Sequence, residues 1–328
     1  MQTYDIIIVG AGCAGLAAGM YAGRMQLKTL IFGDPIVGGT ITTTDIVENY
    51  PGFIRLTGLE LAEKLREHAL DYKDFVEIKE ARVEKISGHG QCFRVDAGGI
   101  SYIAKTIIFA TGMKERHLNV PGEAQFFTRG IFTCALCDGP LWKGKNIAVV
   151  GGSDSAAKEA LLLTQWAKKV FIIYRGDKIH PEPVNMARVE QKVKEGKIEI
   201  IYNTNILEFK GEKFLKAAML DKAYSGKKEF PIDAVFLSIG AVPISEMASA
   251  LKVKLNEKKE IIINRQSETN VPGFFAAGDV VDTRFKQAIT GVGEAVAAVY
   301  SAYTYINTNS IVCPVGDVED LKISKRGK

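Results

Sequence analysis

Residues 133–140 read Thr133-Cys134-Ala135-Leu136-Cys137-Asp138-Gly139-Pro140, and the two cysteines are the strongest chemical signal in the chain. Three positions apart, they can share one turn of backbone and meet the Cα separation of about 4.4–6.8 Å that an unstrained disulfide needs. A pair closed over so short a loop can open and close with little backbone movement, which suits electron transfer better than stapling. Asp138 follows at once. A carboxyl there can take a proton from a thiol or return one, and the thiolate is the species that reacts. The competing reading is half of a zinc site. Zinc usually takes four ligands as two spaced pairs; no second Cys or Cys/His pair is present, and His117 stands alone. The motif alone puts redox only a little ahead of metal. Its position between two nucleotide-binding signatures decides for redox, and no metal is expected.

The first signature opens the chain. Asp5-Ile6-Ile7-Ile8-Val9 is an apolar β-branched run, as in a strand buried on both faces. Gly10-Ala11-Gly12-Cys13-Ala14-Gly15 follows, then an alanine-rich helix over 16–25 and a strand over 28–32. In that frame Gly10 makes the tight turn, Gly12 admits a pyrophosphate, and Gly15 lets helix pack on strand. The phosphates then meet the free N–H groups of the helix N-terminus. Where an acid should meet a ribose hydroxyl, the sequence has Phe32, then Gly33 and Asp34. Cys13 reads as a small buried residue. Gly38-Gly39-Thr40 and the run from Glu48 to Phe53 form a loop suited to a flat polar ring. A helix is expected over 58–72. Short strands with turns at 87–90 and 97–99 lead to a strand over 106–110 that ends in Thr111-Gly112.

The plan then repeats. Asn146–Val150 is a second buried strand, followed by Gly151-Gly152-Ser153-Asp154-Ser155-Ala156, a helix to Trp166 and a strand from Lys169 to Tyr174. Two copies in the same order imply two dinucleotide domains. Ser153 stands where a missing Cβ would admit the pyrophosphate, and Arg175 with Lys178 could meet a ribose 2′-phosphate. Strands are expected over 260–264 and before Gly278-Asp279, and a helix from Ala288 to about Tyr305, its N-terminus near Gln287-Ala288 able to stabilise charge on a bound ring. This closing segment lies far from Gly10, so the first domain is split and the second inserted into it. The fold class is α/β: two Rossmann-like three-layer dinucleotide-binding domains, over 1–113 with 242–328 and over 114–241.

Composition narrows the function. The chain has 328 residues, 47% hydrophobic and 24% charged, with a net charge of +4. That argues against nucleic acid as a partner, and no basic stripe alternates with aromatics. The basic run Lys322–Lys328 reads as a solvated end. No apolar run reaches the ~18 residues of a membrane span, and no leader is expected ahead of the first strand. The five cysteines, Cys13, Cys92, Cys134, Cys137 and Cys313, are too few and odd for a secreted framework. The expected setting is cytoplasmic, where a lone CxxC is more often catalytic than structural.

These motifs together resemble the low-molecular-weight thioredoxin reductases of the pyridine nucleotide–disulfide oxidoreductase group. The carriers are Gly10–Gly15, Gly38-Gly39, the run from Thr42 to Gly52, Ala110-Thr111-Gly112, Cys134 to Gly139, Gly151–Ala156, Ala277-Gly278-Asp279-Val280 and Gln287-Ala288-Ile289-Thr290. The resemblance implies FAD in the split domain, against Gly10, Gly12, Ala14, Gly15, Gly38, Gly39, Thr40, Asn49, Thr111, Gly112, Gly278, Asp279, Gln287 and Ala288. It implies a nicotinamide nucleotide, NADPH, against Gly151, Gly152, Ser153, Asp154, Ser155, Arg175 and Lys178. Cys137 would lie nearer the flavin, Cys134 would attack the substrate and Asp138 would be the acid/base. The partner would be thioredoxin or a thioredoxin-like or glutaredoxin-like protein, the enzyme a homodimer, with hinges near 113–116 and 240–243. Against the family's His-Arg-Arg signature and later Arg the chain has Tyr174, Arg175, Gly176 and His180, and Thr40 replaces the Gln of Gly-Gly-Gln. The alternatives are a flavin-dependent dithiol oxidase, a reductase fed by ferredoxin, NADH or a deazaflavin, and a non-catalytic flavoprotein that docks a partner.

Overall fold

The computed structural model describes residues 2–33, 37–89 and 91–314. Asp34, Gly90 and the run Lys322–Lys328 lie outside them. The chain divides into two compact units, Met1–Lys114 with Pro243–Lys328, and Glu115–Val242.

The first unit begins β1 (Gln2–Val9), α1 (Cys13–Arg24), β2 (Thr29–Gly33), α2 (Gly58–Leu70), β3 (Val76–Glu80), β4 (Val83–His89), β5 (Cys92–Ala97) and β6 (Ile100–Phe109). The sheet runs β3-β2-β1-β6-β5-β4. β6 serves two neighbours on one side. Its first half pairs antiparallel with β5, and Ile107 to Phe109 pair parallel with a late strand, Phe274 to Ala276. β2 is buried at every position: Leu30-Ile31-Phe32 are apolar, and the Thr29 hydroxyl is satisfied by donating to Leu27 O at 2.9 Å. α2 is entered through a capping box: Thr57 Oγ1 accepts from the Glu60 N–H at 3.1 Å, and Glu60 accepts from the Thr57 N–H at 2.7 Å.

Within the second unit come β7 (Met113–Glu115, which starts in the first), α3 (Glu123–Phe126), β8 (Ile131–Phe132), α4 (Ala135–Asp138), β9 (Asn146–Val150), α5 (Asp154–Leu163), β10 (Lys169–Ile173), α6 (Pro183–Lys194), β11 (Ile198–Ile201), β12 (Ile206–Gly211), β13 (Leu215–Tyr224), β14 (Lys227–Pro231), β15 (Ala234–Leu237) and β16 (Ala241–Pro243). A parallel sheet runs β11-β10-β9-β15-β8, and β12-β13-β14 form a separate antiparallel sheet. β7 and β16, which carry the two chain crossings, pair with each other. The chain closes with α7 (Glu246–Ala250), β17 (Phe274–Ala276) and α8 (Ala288–Thr308) back in the first unit.

Parallel pairing places the site. The Ala110 N–H bonds to Val9 O at 2.8 Å, and the Ala277 N–H to Phe109 O at 3.1 Å. Gly10, Ala110 and Ala277, far apart in sequence, therefore stand side by side at one end of the sheet, outside the carboxyl ends of the strands. In the second unit the Gly151 N–H bonds to Ile173 O and the Ser238 N–H to Val150 O, which sets Gly151, Tyr174 and Ser238 along the matching end.

Two local expectations fail. The strand over 260–264 is reduced to isolated bridges at Ile261. Here the side chains of Asn256 and Asn264 accept from the N–H groups of Glu260 and Glu268, offering the backbone turns instead of a ladder. Ser87-Gly88, expected in a turn, continues β4, because the pairing with β5 runs on past them.

Candidate active site

The disulfide turn is built from short elements. Cys134 is extended and caps α4, and its Sγ accepts from the Cys137 N–H at 3.1 Å. The pair is bonded, with sulfurs 2.04 Å and Cα atoms 5.3 Å apart. Cys134 is half-buried and Cys137 exposed. Burial raises the Asp138 carboxyl above the usual Asp range, so it keeps a proton further toward neutral pH than a free Asp does. The turn is pinned from below. A Cβ on Gly139 would come within 2.8 Å of the Trp166 ring and 2.9 Å of Leu163, so only glycine lets the turn lie on the end of α5. Trp142, just after, packs its ring on Phe132 at 5.8 Å. Among the described residues no group of His, Cys, Asp or Glu could hold a metal ion.

At the first glycine loop the geometry is that of an anion cradle. Gly10 has φ +113°, and a Cβ on it would lie 2.2 Å from Ala110 O. A Cβ on Gly15 would lie 1.8 Å from Gly10 O, so helix and strand meet only without one. Above Gly12 the space is open, the nearest atom to an added Cβ being Gly38 O at 3.8 Å. The Gly38 N–H bonds to Ala11 O at 2.7 Å, setting Gly38-Gly39 beside the loop, with Thr40 in the 3-10 turn that follows. α1 has no acid in its first turn to compete for its free N–H groups.

The far segment joins this cradle. Gly278 and Gly291 approach so closely that a Cβ on Gly291 would lie 3.0 Å from Gly278 Cα, and one on Gly278 would lie 3.0 Å from the Ala14 methyl. The Asn49 side-chain amide donates to Gln287 Oε1 at 2.9 Å, beside Ala288 at the start of α8. Thr111 Oγ1 donates to Ile244 O, and the Ile244 N–H to Gly112 O. Burial raises the Asp279 carboxyl above its ordinary value, with Lys286 opposing. Burial first, then the charge of Asp279, pushes the Cys13 thiol up to about 12, which keeps it an inert small residue. An open, Cβ-free loop at a helix N-terminus beside the Asp279 carboxylate, which is open to a sugar hydroxyl, fits the pyrophosphate and ribityl chain of FAD.

The second loop is built differently. Gly151, at φ +148°, repeats the close approach of Gly10, a Cβ there lying 2.2 Å from Ser238 O. Ser153 starts α5 without capping it. Asp154 Oδ1 accepts from the Glu182 N–H at 2.9 Å and the Asn185 amide at 2.8 Å, and its carboxylate pairs with Lys158, so its charge is spent on holding α6 to α5. Ser155, Arg175 and Lys178 are exposed.

The chain matches the family model "Pyridine nucleotide-disulphide oxidoreductase" over residues 4–295. It is 36% identical to the thioredoxin reductase of Bacillus subtilis over 313 residues, 93% of this chain and 95% of that protein. Its structure is similar to that of Lactococcus lactis thioredoxin reductase in its FR conformation, with TM-score 0.88 and 34% identity over 93% of this chain and 100% of the other. Thioredoxin reductase of T. acidophilum superposes with TM-score 0.86 and 32% identity, covering 93% and 99%. The chain belongs to this family. Within it, the chain is one of the low-molecular-weight thioredoxin reductases.

Several residues of the family's site region escape sequence reading. Lys286 donates to the carbonyls of Asp279 and Val281 and pairs with Glu260 at 3.1 Å. Glu294 accepts from the Gly278 N–H at 2.9 Å and from Thr283. Together they hold the 278–281 turn that carries Asp279. Glu159 on α5 keeps Oε2 buried without a partner among the described residues. Burial, then the charge of Glu115, pushes its carboxyl up to about 8. Cys92 and Cys313 form a second disulfide, with Cα atoms 5.5 Å apart; their separation of 221 residues leaves no pairing signal in the sequence.

Proposed function

We propose that this chain reduces the disulfide of thioredoxin or of a thioredoxin-like or glutaredoxin-like protein through the Cys134–Cys137 dithiol, with FAD held by the split unit. The observation that carries it is the closed Cys134–Cys137 turn, built over so little backbone that it can reopen, with a carboxyl of raised proton affinity next to it. FAD, when bound, supplies the electron pair that opens this disulfide. Gly10, Gly12 and Gly15 with the N-terminus of α1 would hold its phosphates, and Asp279 and the start of α8 its ribityl and ring ends.

The chain's own residues account for the exchange with substrate. In the reduced form the Cys137 N–H stabilises a thiolate on Cys134, which favours Cys134 as the nucleophile. Its sulfur attacks one sulfur of the substrate disulfide; a mixed disulfide forms and a substrate thiolate leaves. Asp138, protonated, gives that thiolate its proton. Cys137 then attacks Cys134 Sγ, the Cys134–Cys137 bond re-forms, and the second substrate sulfur leaves and is protonated. Two electrons have passed from dithiol to substrate.

Our reading of the enzyme is a cytoplasmic homodimer. Separately, no helix among the described residues is long and apolar enough to cross a membrane. The test is turnover of a thioredoxin disulfide by FAD-loaded protein reduced chemically in the absence of oxygen. Cys134→Ser and Cys137→Ser should each abolish it. Retained turnover in either variant would remove this function.

A further inference from the structure

The two copies of the fold differ by an exchange of side chains at one place. In the first copy the residue after Gly10 is Ala11 and the residue after β2 Phe32 is Gly33; a Cβ on Gly33 would lie 2.7 Å from the Ala11 methyl, so only one of the two can carry a side chain. In the second copy the matching residues are Gly152 and Tyr174, after Gly151 and Ile173, and the side chain has changed sides. The Tyr174 ring lies on Gly152, three of its carbons 2.6–2.7 Å from where a Gly152 Cβ would be. The ring is held there. Gly176 packs on its other edge, where an added Cβ would lie 2.6 Å from it. His180 meets it edge-on at 5.8 Å. The His180 N–H bonds to Gly152 O at 2.8 Å, strapping the segment after β10 onto the loop.

The end of the second strand is where a dinucleotide fold presents its adenosine ribose to the protein. Gly33 puts no side chain of its own on that ground in the first copy, and an aromatic ring covers it in the second. Ser153 adds a side chain where Gly12 has none, and Asp154 is committed to α6. We propose that Tyr174 is the donor-specificity residue of this enzyme: its ring fills the ribose end of the second glycine loop and weakens binding of NADPH and NADH alike. Arg175 and Lys178, exposed and beyond the ring, then give little preference for the 2′-phosphate. The inference rests on the flavin–dithiol reading and adds which reductants that site refuses.

The test is calorimetric titration of oxidised, FAD-loaded protein with NADPH and with NADH. Wild type should bind both in the millimolar range, within a few-fold of each other. Tyr174→Ala should tighten both at least tenfold, and Tyr174→Phe, which keeps the ring, should leave both weak. The double variant Gly152→Ala/Tyr174→Gly rebuilds the Ala11/Gly33 pair that the first copy already packs, so it gives a folded test of the same opening and should also tighten both. Micromolar binding by wild type, or unchanged binding in both the Ala and the double variant, would overturn the assignment. Flavin reduction by dithiothreitol without nucleotide should persist in every variant; its absence in wild type would instead count against the flavin–dithiol reading.

Discussion

Cys313→Ser removes one covalent bond and little else. Cys92 opens β5 and is 2% exposed, whereas Cys313 is half-buried in the segment after α8. Replacing Cys92 would bury an unpaired hydroxyl, a separate cost of about 1–3 kcal/mol. Replacing Cys313 leaves Cys92 as a small buried thiol, which behaves as a hydrophobe. The bond spans 221 residues. In the chain-entropy model, cross-linking a loop that long removes unfolded-state freedom worth about 5 kcal/mol at 25 °C, an upper figure because residual structure in the unfolded chain reduces it. At about 2–4 °C per kcal/mol for units of this size, the melting temperature should fall by roughly 10 °C. The assay is thermal and urea unfolding of wild type and Cys313→Ser without reductant, with mass spectrometry after alkylation to count free thiols. A shift below about 2 °C, or two alkylated thiols at Cys92 and Cys313 in native wild type, would refute the reasoning. Reductant should act slowly on this bond, since only the Cys313 sulfur is open to attack.

Glu159→Gln should stabilise the fold at high pH. The folded state keeps the Glu159 proton up to about 8, while the unfolded chain releases it near 4.5, so wild type loses stability as pH rises across that window. The variant should match wild type near pH 4 and exceed it at pH 8 by roughly 3 kcal/mol, discounted for the part of the side chain that water reaches; equal pH profiles in urea unfolding would contradict this. Asp138→Asn should lower thioredoxin-disulfide turnover about a hundredfold, and the wild-type rate should fall as pH rises through a value above the ordinary Asp range, a limb the variant lacks. Gly12→Ala has room for its methyl in the folded chain and should fold, yet copurify with far less FAD; Gly15→Ala should fail to fold, because its Cβ would lie 1.8 Å from Gly10 O. Flavin absorbance per chain and circular dichroism separate the two outcomes.

Much of this was legible because the signals are local. β1, the Gly10–Gly15 turn and α1 form one continuous run, and so do β9, Gly151–Ala156 and α5; the copies announce each other by order. Cys134, Cys137 and Asp138 are close neighbours in sequence. What was hidden depends on contacts between distant residues. Cys92 and Cys313 carry no spacing signal across 221 residues. The grip of Glu294 on the Gly278 N–H exists only once α8 folds back over β17. Tyr174 could be seen as a departure from a signature, but that its ring replaces the Ala11 methyl appears only when both loops are seen in space. The segment from Asn256 to Asn264 has strand-like composition at 260–264, and its asparagines turn it into loops.

The most direct measurement is an anaerobic dithionite titration of FAD-loaded protein in a Cys313→Ser background, where the Cys92–Cys313 disulfide cannot form, followed by flavin absorbance. With Cys134 and Cys137 intact, the chain should take up two electrons for the flavin and two more for the disulfide. With Cys137→Ser added, it should take up only the first two. Equal uptake with and without Cys137 would contradict the claim that this disulfide exchanges electrons with the flavin.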